Sequence, residues 1–380
     1  MASLSIPIDG ALPRATPARQ RVLVLGRFGV ESFESHIAET FAEMGHSTAG
    51  VHLGESDLRL RGVFGRRVQQ ALQLVGKVSE GVPVLRRRQT RKIVAAARQQ
   101  AAELVLVGHD FLQPAQVAAL KDATGAKVAL WFPDSIERFG RAYFLHAEYD
   151  ALFFKDTYIV RVLRAEYGLP AFYLPQCCNP TRHALPADQP VDPRFRCDIA
   201  TAGHAHTARM ALFRHLTDFD VHLWGNPPPL WMDTHNVAPM LKGRFVADQE
   251  KALVFRSASI ALNTQYPSEI CGVNKRTFEI AAAGGFQLVT HRPGLEELFD
   301  DGRELVSYEG LHDLREKIRY YLVHNQLREQ IARAGQERAL AQHTYALRLQ
   351  LLLDTVNGLA TGYPSAHLSS GRLRGTGGSL

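Results

Sequence analysis

The sequence predicts an α/β protein made of two Rossmann-like, doubly wound parallel-sheet domains. Three observations carry that reading. Short apolar runs ending in Gly or a polar residue alternate with segments of helical spacing, as right-handed βαβ crossovers require. A proline-rich stretch at 179–196 breaks the alternation, which then restarts. The length, 380 residues, suits two domains of ordinary size.

Residues 1–19 have no basic segment leading into a long apolar core, so they read as a disordered leader and not a secretory signal. "RVLVLG" (21–26) is a buried strand. "SFESHIAETFAEMGH" (32–46) is a helix with Phe33, Ile37, Phe41 and Met44 on one face and Gly45 as its stop. "TAGVHL" (48–53) is the next strand. After a basic helical stretch come strands at 102–110, 126–135 and 149–156, a helix at 157–168 and a strand at 171–175. These complete a first domain, 20–178. Beyond the linker, strands at 197–203, 220–225, 259–265, 285–291 and 303–308 alternate with helices at 207–219, 247–258 and 274–284. Helices at 311–325 and 326–343 close a second domain, 197–343. A last helix, 344–360, is expected to pack back on the first domain, and 361–380 reads as a disordered tail.

Hydrophobic residues make up 46% of the chain and charged residues 22%, as in a globular protein. No apolar run reaches the ~18–20 residues of a membrane span. The four cysteines, Cys177, Cys178, Cys197 and Cys271, show no metal-binding or disulfide spacing, which fits a reduced, cytoplasmic setting. The net charge of +6 is local. Between Arg59 and Arg98 the cations Arg61, Arg66, Arg67, Lys77, Arg86, Arg87, Arg88, Arg91 and Lys92 face only Glu80. Such a stretch is either a solvated helix face or a patch for an acidic acceptor or the inner membrane face. No aromatic residues interleave "RRRQTRK" (86–92), so nucleic acid is not expected as a partner.

In doubly wound sheets ligands sit beyond the carboxyl ends of the strands. That directs attention to Gly26, Arg27, His109, Asp110, Asp134, Gly203, Asn263 and the segment 272–279. Gly272 permits close backbone approach, and the helix starting near Asn274 offers free N–H groups to an anion. Lys275 and Arg276 add charge that suits a diphosphate. Glu279 projects from the early turns, where a carboxylate can accept both vicinal hydroxyls of a ribose. Phe278, Ile280 and Ala281 to Ala283 make that helix apolar nearly all round, so Glu279 is expected to have a defined partner.

"GVNKRTFEIAAAGGFQLVT" (272–290), with its N-x-R-x-F-E spacing, and "HTYALR" (343–348) resemble the C-terminal domain of CgeB-like glycosyltransferases, in the broad GT-B group. The resemblance extends more loosely upstream, through "WFPDS" and "DIATAGHAHTARMALFRHL", and covers about 102–350. It implies two Rossmann-like domains facing across a cleft. It also implies a metal-independent, retaining transfer of a sugar from a nucleotide-diphospho-sugar (UDP-, GDP- or dTDP-linked) to a glycan, lipid-linked or protein hydroxyl. No cofactor or metal is implied. Glu279 matches the ribose-binding glutamate, and Gly272, Val273 and Asn274 match the loop over the diphosphate and sugar. The wider retaining enzymes carry E-x7-E here, but eight residues before Glu279 stands Cys271, with Glu269 two residues earlier.

Lys275, Arg276 and Arg209 are the candidates for stabilising the leaving group, with Gly203 and Asn263 at neighbouring strand ends. Asp134 and His109 are alternative catalytic bases, each with a structural role as competitor. Gly26, Arg86, Arg87 and Arg88 are assigned to the acceptor or membrane side. Three motifs are discounted. "DFD" (218–220) lies at the wrong end of its strand, "GHAH" (203–206) lacks a third ligand, and "GRFG" (26–29) is not G-x-G-x-x-G. Two other functions remain open: a non-catalytic nucleotide-sugar-binding relative, motivated by Cys271, and a sugar-nucleotide epimerase.

Overall fold

The computed structural model describes residues 19–53 and 83–369. The leader to residue 18, the cations Arg59, Arg61, Arg66, Arg67 and Lys77, and residues 370–380 lie outside them. The first sheet contains β1 (Arg21–Gly26), β2 (Ser47–His52), β3 (Leu104–Gly108), β4 (Lys127–Phe132), β5 (Ala151–Phe154) and β6 (Ala171–Tyr173), in the order β2-β1-β3-β4-β5-β6. The second contains β7 (Ile199–Ala202), β8 (Val221–Trp224), β9 (Ile260–Asn263), β10 (Gln287–Thr290) and β11 (Val306–Tyr308), in the order β11-β10-β9-β7-β8. Every pairing is parallel. Strands buried on both faces need continuous apolar runs, and Val22 to Leu25 are fully buried. All eleven expected strands are present, β1 with the expected bounds, β2 shifted by one residue and the others shorter than expected.

The longer helices are α1 (Phe33–Glu43), α2 (Pro83–Gln99), α3 (Pro114–Thr124), α4 (Thr157–Tyr167), α5 (Thr207–Phe213), α6 (Asp248–Ser257), α7 (Arg276–Ala282), α8 (Gly310–Val323), α9 (Asn325–Gln342) and α10 (Tyr345–Val356). The sequence reading had no helix at 114–124. Pro114 starts α3 and Gly125, at φ 66°, stops it. None of the helices described is long and apolar enough to cross a membrane.

In each sheet the connections reverse direction once, between β1 and β3 and between β7 and β9. A crevice opens at such a switch point. Gly26 and His109 flank the first, and Gly203 and Asn263 the second.

The chain crosses between the domains twice, side by side. Cys178 N–H donates to His343 O at 2.9 Å and Tyr345 N–H to Cys178 O at 3.0 Å. The second crossing delivers α10 to the first domain, where Tyr345, Leu349, Leu352 and Leu353 pack with Ile37, Phe41 and Trp131. Leu352→Ala should therefore cost about 2–5 kcal/mol of first-domain stability, read from urea unfolding.

The tail was expected to be disordered from 361, yet residues 361–369 belong to the fold. Tyr363 packs edge-on against Tyr173 at 5.7 Å and beneath the Arg348 guanidinium at 4.4 Å. Ser365 donates to Glu297 at 2.9 Å. On α2, Ile93 and Ala97 face the core while Arg87, Arg88, Arg91 and Lys92 are exposed and Arg86 is half-buried. Among the described residues no carboxylate pairs with any of these five cations.

Candidate active site

The wall of the cleft formed by the second domain is built around two arginines. Arg209, on the first turn of α5, is 2% exposed. Its Nη1 donates to His204 O at 2.7 Å and its Nε to Thr264 Oγ1 at 3.2 Å. Arg276, opening α7, donates from Nε to Ala202 O at 2.7 Å and from Nη1 to Asn263 Oδ1 at 3.4 Å. The two guanidinium groups converge on Gly203, whose φ is 127°. A Cβ there would lie 2.5 Å from Arg276 Nη2 and 3.5 Å from Arg209 Nη1.

Among the described residues, neither arginine has a carboxylate within ion-pair distance. Burial, reinforced by Arg276, pulls the Arg209 pKa well down, and burial lowers that of Arg276. The neighbouring histidines stay neutral for the same reasons. Burial, then Arg209 and Arg276, push His204 down and take His206 to about 3. Arg209 is buried and Arg276 half-buried, and two cations held this close together favour a negatively charged partner between them.

Several residues of the 272–279 segment are placed differently from expectation. The backbone N–H groups of Ile270, Cys271 and Gly272 do form an anion nest, but it holds Asp156 Oδ2 of the first domain, at 3.1, 2.9 and 3.0 Å. Gly272 is needed for contact with protein, because a Cβ would meet Lys155 O at 2.6 Å. Val273 is core, 1% exposed, against Phe278 and Leu295. Asn263 is fully buried, a hub that donates to Thr277 and Gln287 and accepts from Asn274 and Arg276. Asn274 Oδ1 already accepts the Thr277 N–H, at 3.3 Å. Glu269 is buried and paired with Lys155, and Cys271, at the E-x7-E position, is buried.

Lys275 and Glu279 belong to an interdomain cluster. Lys275 Nζ lies 2.9 Å from Glu279 Oε1, and Lys251 Nζ 3.1 Å from the same atom. Glu31 reaches in from the first domain, from a left-handed position at φ 64°. It pairs with Lys251, accepts Asp248 N–H at 2.5 Å and lies 3.8 Å from Lys275. Burial would raise both carboxylates. For Glu31, a hydrogen bond from His183 and the charges of Lys251 and Lys275 outweigh it; for Glu279, Lys251 and Lys275 do. Both end far below the carboxylate range. Lys275 is depressed by burial, but Glu279 and Glu31 lift it above its ordinary value.

Glu31, His36 and His183 bring three potential metal-ligating atoms within 4.8 Å of one another. Their hydrogen bonding points elsewhere. Asn179 N–H donates to His183 Nδ1 at 3.1 Å, and Asn179 Nδ2 faces His36 Nδ1 at 3.3 Å. Thr181 N–H fixes that amide's orientation through Oδ1. Both Nδ1 atoms accept, so both Nε2 atoms carry the hydrogen; that of His183 lies 3.5 Å from Glu31 and 3.6 Å from Glu279.

The wall formed by the first domain brings His109 and Asp134 together, with His109 Nε2 3.5 Å from Asp134 Oδ2. On its other side His109 Nδ1 meets Glu34 Oε1 at 3.0 Å. Glu34 did not stand out in the sequence. Its signal was a carboxylate in the first turn of α1, two glycines away in space. A Cβ at Gly26 would fall 2.3 Å from Glu34 Cγ, and one at Gly108 2.6 Å from Oε1. Gly26 thus makes room for Glu34 and not for a ligand. Asp110 caps the backbone N–H groups of Tyr143 and Phe144 at 2.6 and 3.1 Å. Asp218 of "DFD" is held by Arg315 at 2.6 Å.

A family profile described as glycosyl transferase-like matches residues 199–354. No curated protein matches the chain in sequence. Solved structures do match in fold. A glycosyltransferase from Rickettsia africae superposes with a TM-score of 0.62 at 12% identity, covering 90% of this chain and 99% of that one. Sucrose-phosphate synthase from Thermosynechococcus elongatus gives 0.60 at 12%, with 90% and 100% covered. HepE from Anabaena, solved with UDP and glucose, gives the same four values. The two parallel-sheet domains thus have the GT-B architecture, and residues 199–354 match a glycosyl transferase-like family profile.

Proposed function

We propose that the protein transfers a sugar, of the hexosyl type, from a nucleotide-diphospho-sugar to an acceptor hydroxyl, without a metal. The observation that carries this reading is the pair of buried Arg209 and half-buried Arg276 at the switch point of the second sheet, with no carboxylate of the described residues within ion-pair distance of either. A diphosphate supplies the missing charge, and the pair stabilises it as it departs. Likeness to HepE, solved with UDP-glucose, supports a UDP-linked donor ahead of GDP- or dTDP-linked ones. The ribose hydroxyls engage Glu279 beside its contacts with Lys251 and Lys275. Titration calorimetry against UDP, GDP, dTDP and their sugar conjugates tests the reading, and no binding by any of them overturns it.

Retention is the outcome the family resemblance implied. A second reading, inversion, is favoured by buried Cys271, by the Lys155–Glu269 pair and by the carboxylate on the acceptor wall. The anomeric coupling constant of the product decides between them.

The acceptor, a glycan, lipid or protein hydroxyl, enters from the first domain. There the exposed cations of α2 contact anionic lipid at the cytoplasmic membrane face. Reversing Arg86, Arg87 and Arg88 to Glu should weaken binding to phosphatidylglycerol vesicles by about two orders of magnitude in a flotation assay. Unchanged binding would leave α2 a solvated face.

A further inference from the structure

We infer that Glu34 is a positioning residue for the acceptor side of the site: its buried carboxylate fixes His109, and His109 holds Asp134 as the group that takes the acceptor hydroxyl's proton. This rests on the transferase reading above and goes with its inverting form.

Glu34 is 1% exposed, and a buried carboxylate must be matched by a charge or by hydrogen bonds. Its ion-pair partner among the described residues is His109. The fold is shaped to admit it, because β1 and β3 both end in glycines whose missing Cβ atoms the Glu34 side chain replaces. His109 is equally constrained. It sits at φ 70°, in the left-handed region where a residue with a Cβ is strained. Phe33, Phe111 and Phe132 surround its imidazole at 6.3, 5.5 and 5.9 Å.

The imidazole therefore points from Glu34, deep in the domain, towards Asp134, which is half-exposed at the end of β4. The charged groups bearing on this line are Glu34 from α1, Asp134 after β4, and Lys155 and Arg138 beyond Asp134. Burial lowers the His109 pKa, but its bonds to Asp134 and Glu34 outweigh burial and raise it to about 9. A protonated imidazole cannot serve as base at neutral pH, which leaves the Asp134 carboxylate.

The step balances as follows. The acceptor O–H bond breaks and its proton passes to Asp134. The acceptor oxygen bonds to the anomeric carbon. The carbon–oxygen bond to the diphosphate breaks, and its electron pair leaves with the diphosphate towards Arg209 and Arg276.

The test is Glu34→Gln, which keeps the shape and removes the charge. The ring carbon of His109 is followed by NMR as pH is varied. In parallel, hydrolysis of UDP-glucose, with water in the acceptor's place, is followed as UDP release. The His109 transition should fall by at least one pH unit. The alkaline limit of turnover should fall with it, and kcat should drop about 100-fold at unchanged donor KM. A lower kcat with both transitions unmoved would make Glu34 merely structural and overturn the inference. If Glu34→Gln fails to fold, Asp134→Asn, at the exposed end of the line, should lower the same His109 transition, and an unmoved transition there overturns the inference too. Failure of the transferase reading is separate: it shows as wild-type protein that binds no nucleoside diphosphate in calorimetry.

Discussion

Arg276→Gln is expected to weaken nucleoside diphosphate binding strongly without destabilising the protein. Truncating one partner of a buried charge-assisted contact typically costs about 2–5 kcal/mol, so affinity should fall between about 30-fold and several thousand-fold. Stability should behave in the opposite way. Arg276 stands beside Arg209 with no carboxylate of the described residues within ion-pair distance of either, and the Arg276 charge lowers the Arg209 pKa. Gln retains a donor for Ala202 O and removes the repulsion. The apo melting temperature should hold or rise by a few degrees. Thermal shift with and without UDP reads both effects at once, since ligand at 100 times its Kd adds about 2.7 kcal/mol to wild type. A variant that melts lower and still binds would mean that the pair is architectural.

Glu279→Ala should have the largest effect on stability. It leaves Lys251 and Lys275 buried with Glu31 as their remaining carboxylate, and stranding a buried charge in this way costs about 3–5 kcal/mol. Glu279 Oε1 has no well-aligned hydrogen bond, so what it contributes is electrostatic. The pH dependence follows from the sign of the shift. The folded-state pKa values of Glu31 and Glu279 are depressed from an ordinary 4.5. Their stabilisation is complete above that value and is lost as pH falls below it towards the folded values. Wild type should therefore lose stability steeply below about pH 4.5, and Glu279→Ala should show a shallower acid slope. Urea unfolding between pH 3 and 7 checks this, and parallel slopes would refute it.

The parts of the candidate site that were legible in the sequence are those set by strand ends. His109, Asp134, Gly203 and Arg209 each follow a short apolar run, and a parallel sheet puts such positions at the cleft whatever else the chain does. Arg276 was legible for a related reason, as a cation at the start of a helix after β9. The partners were not legible. Lys275 and Arg276 are adjacent and looked alike as diphosphate ligands, yet one faces Glu279 and Glu31 and the other faces Gly203. Adjacent helical positions differ by about 100° in direction. Which of them meets a carboxylate depended on Glu31, from the opposite domain.

The sequence by itself determined the eleven strands, the two-domain plan and the strand ends that line the cleft. Local periodicity and short apolar runs encode these, because burial on both faces of a sheet demands them of each segment separately. Tertiary structure alone decided that Asp156 fills the nest at 270–272 and that Gly26 and Gly108 house Glu34. It also decided that Lys275 belongs to an ion-pair cluster, while no carboxylate of the described residues lies within ion-pair distance of Arg209 or Arg276. Those outcomes turn on approaches of 2.5–4 Å between groups up to 244 residues apart in the chain. Coulomb and hydrogen-bond energies are settled at that range by how distant segments pack within each domain and how the two domains dock.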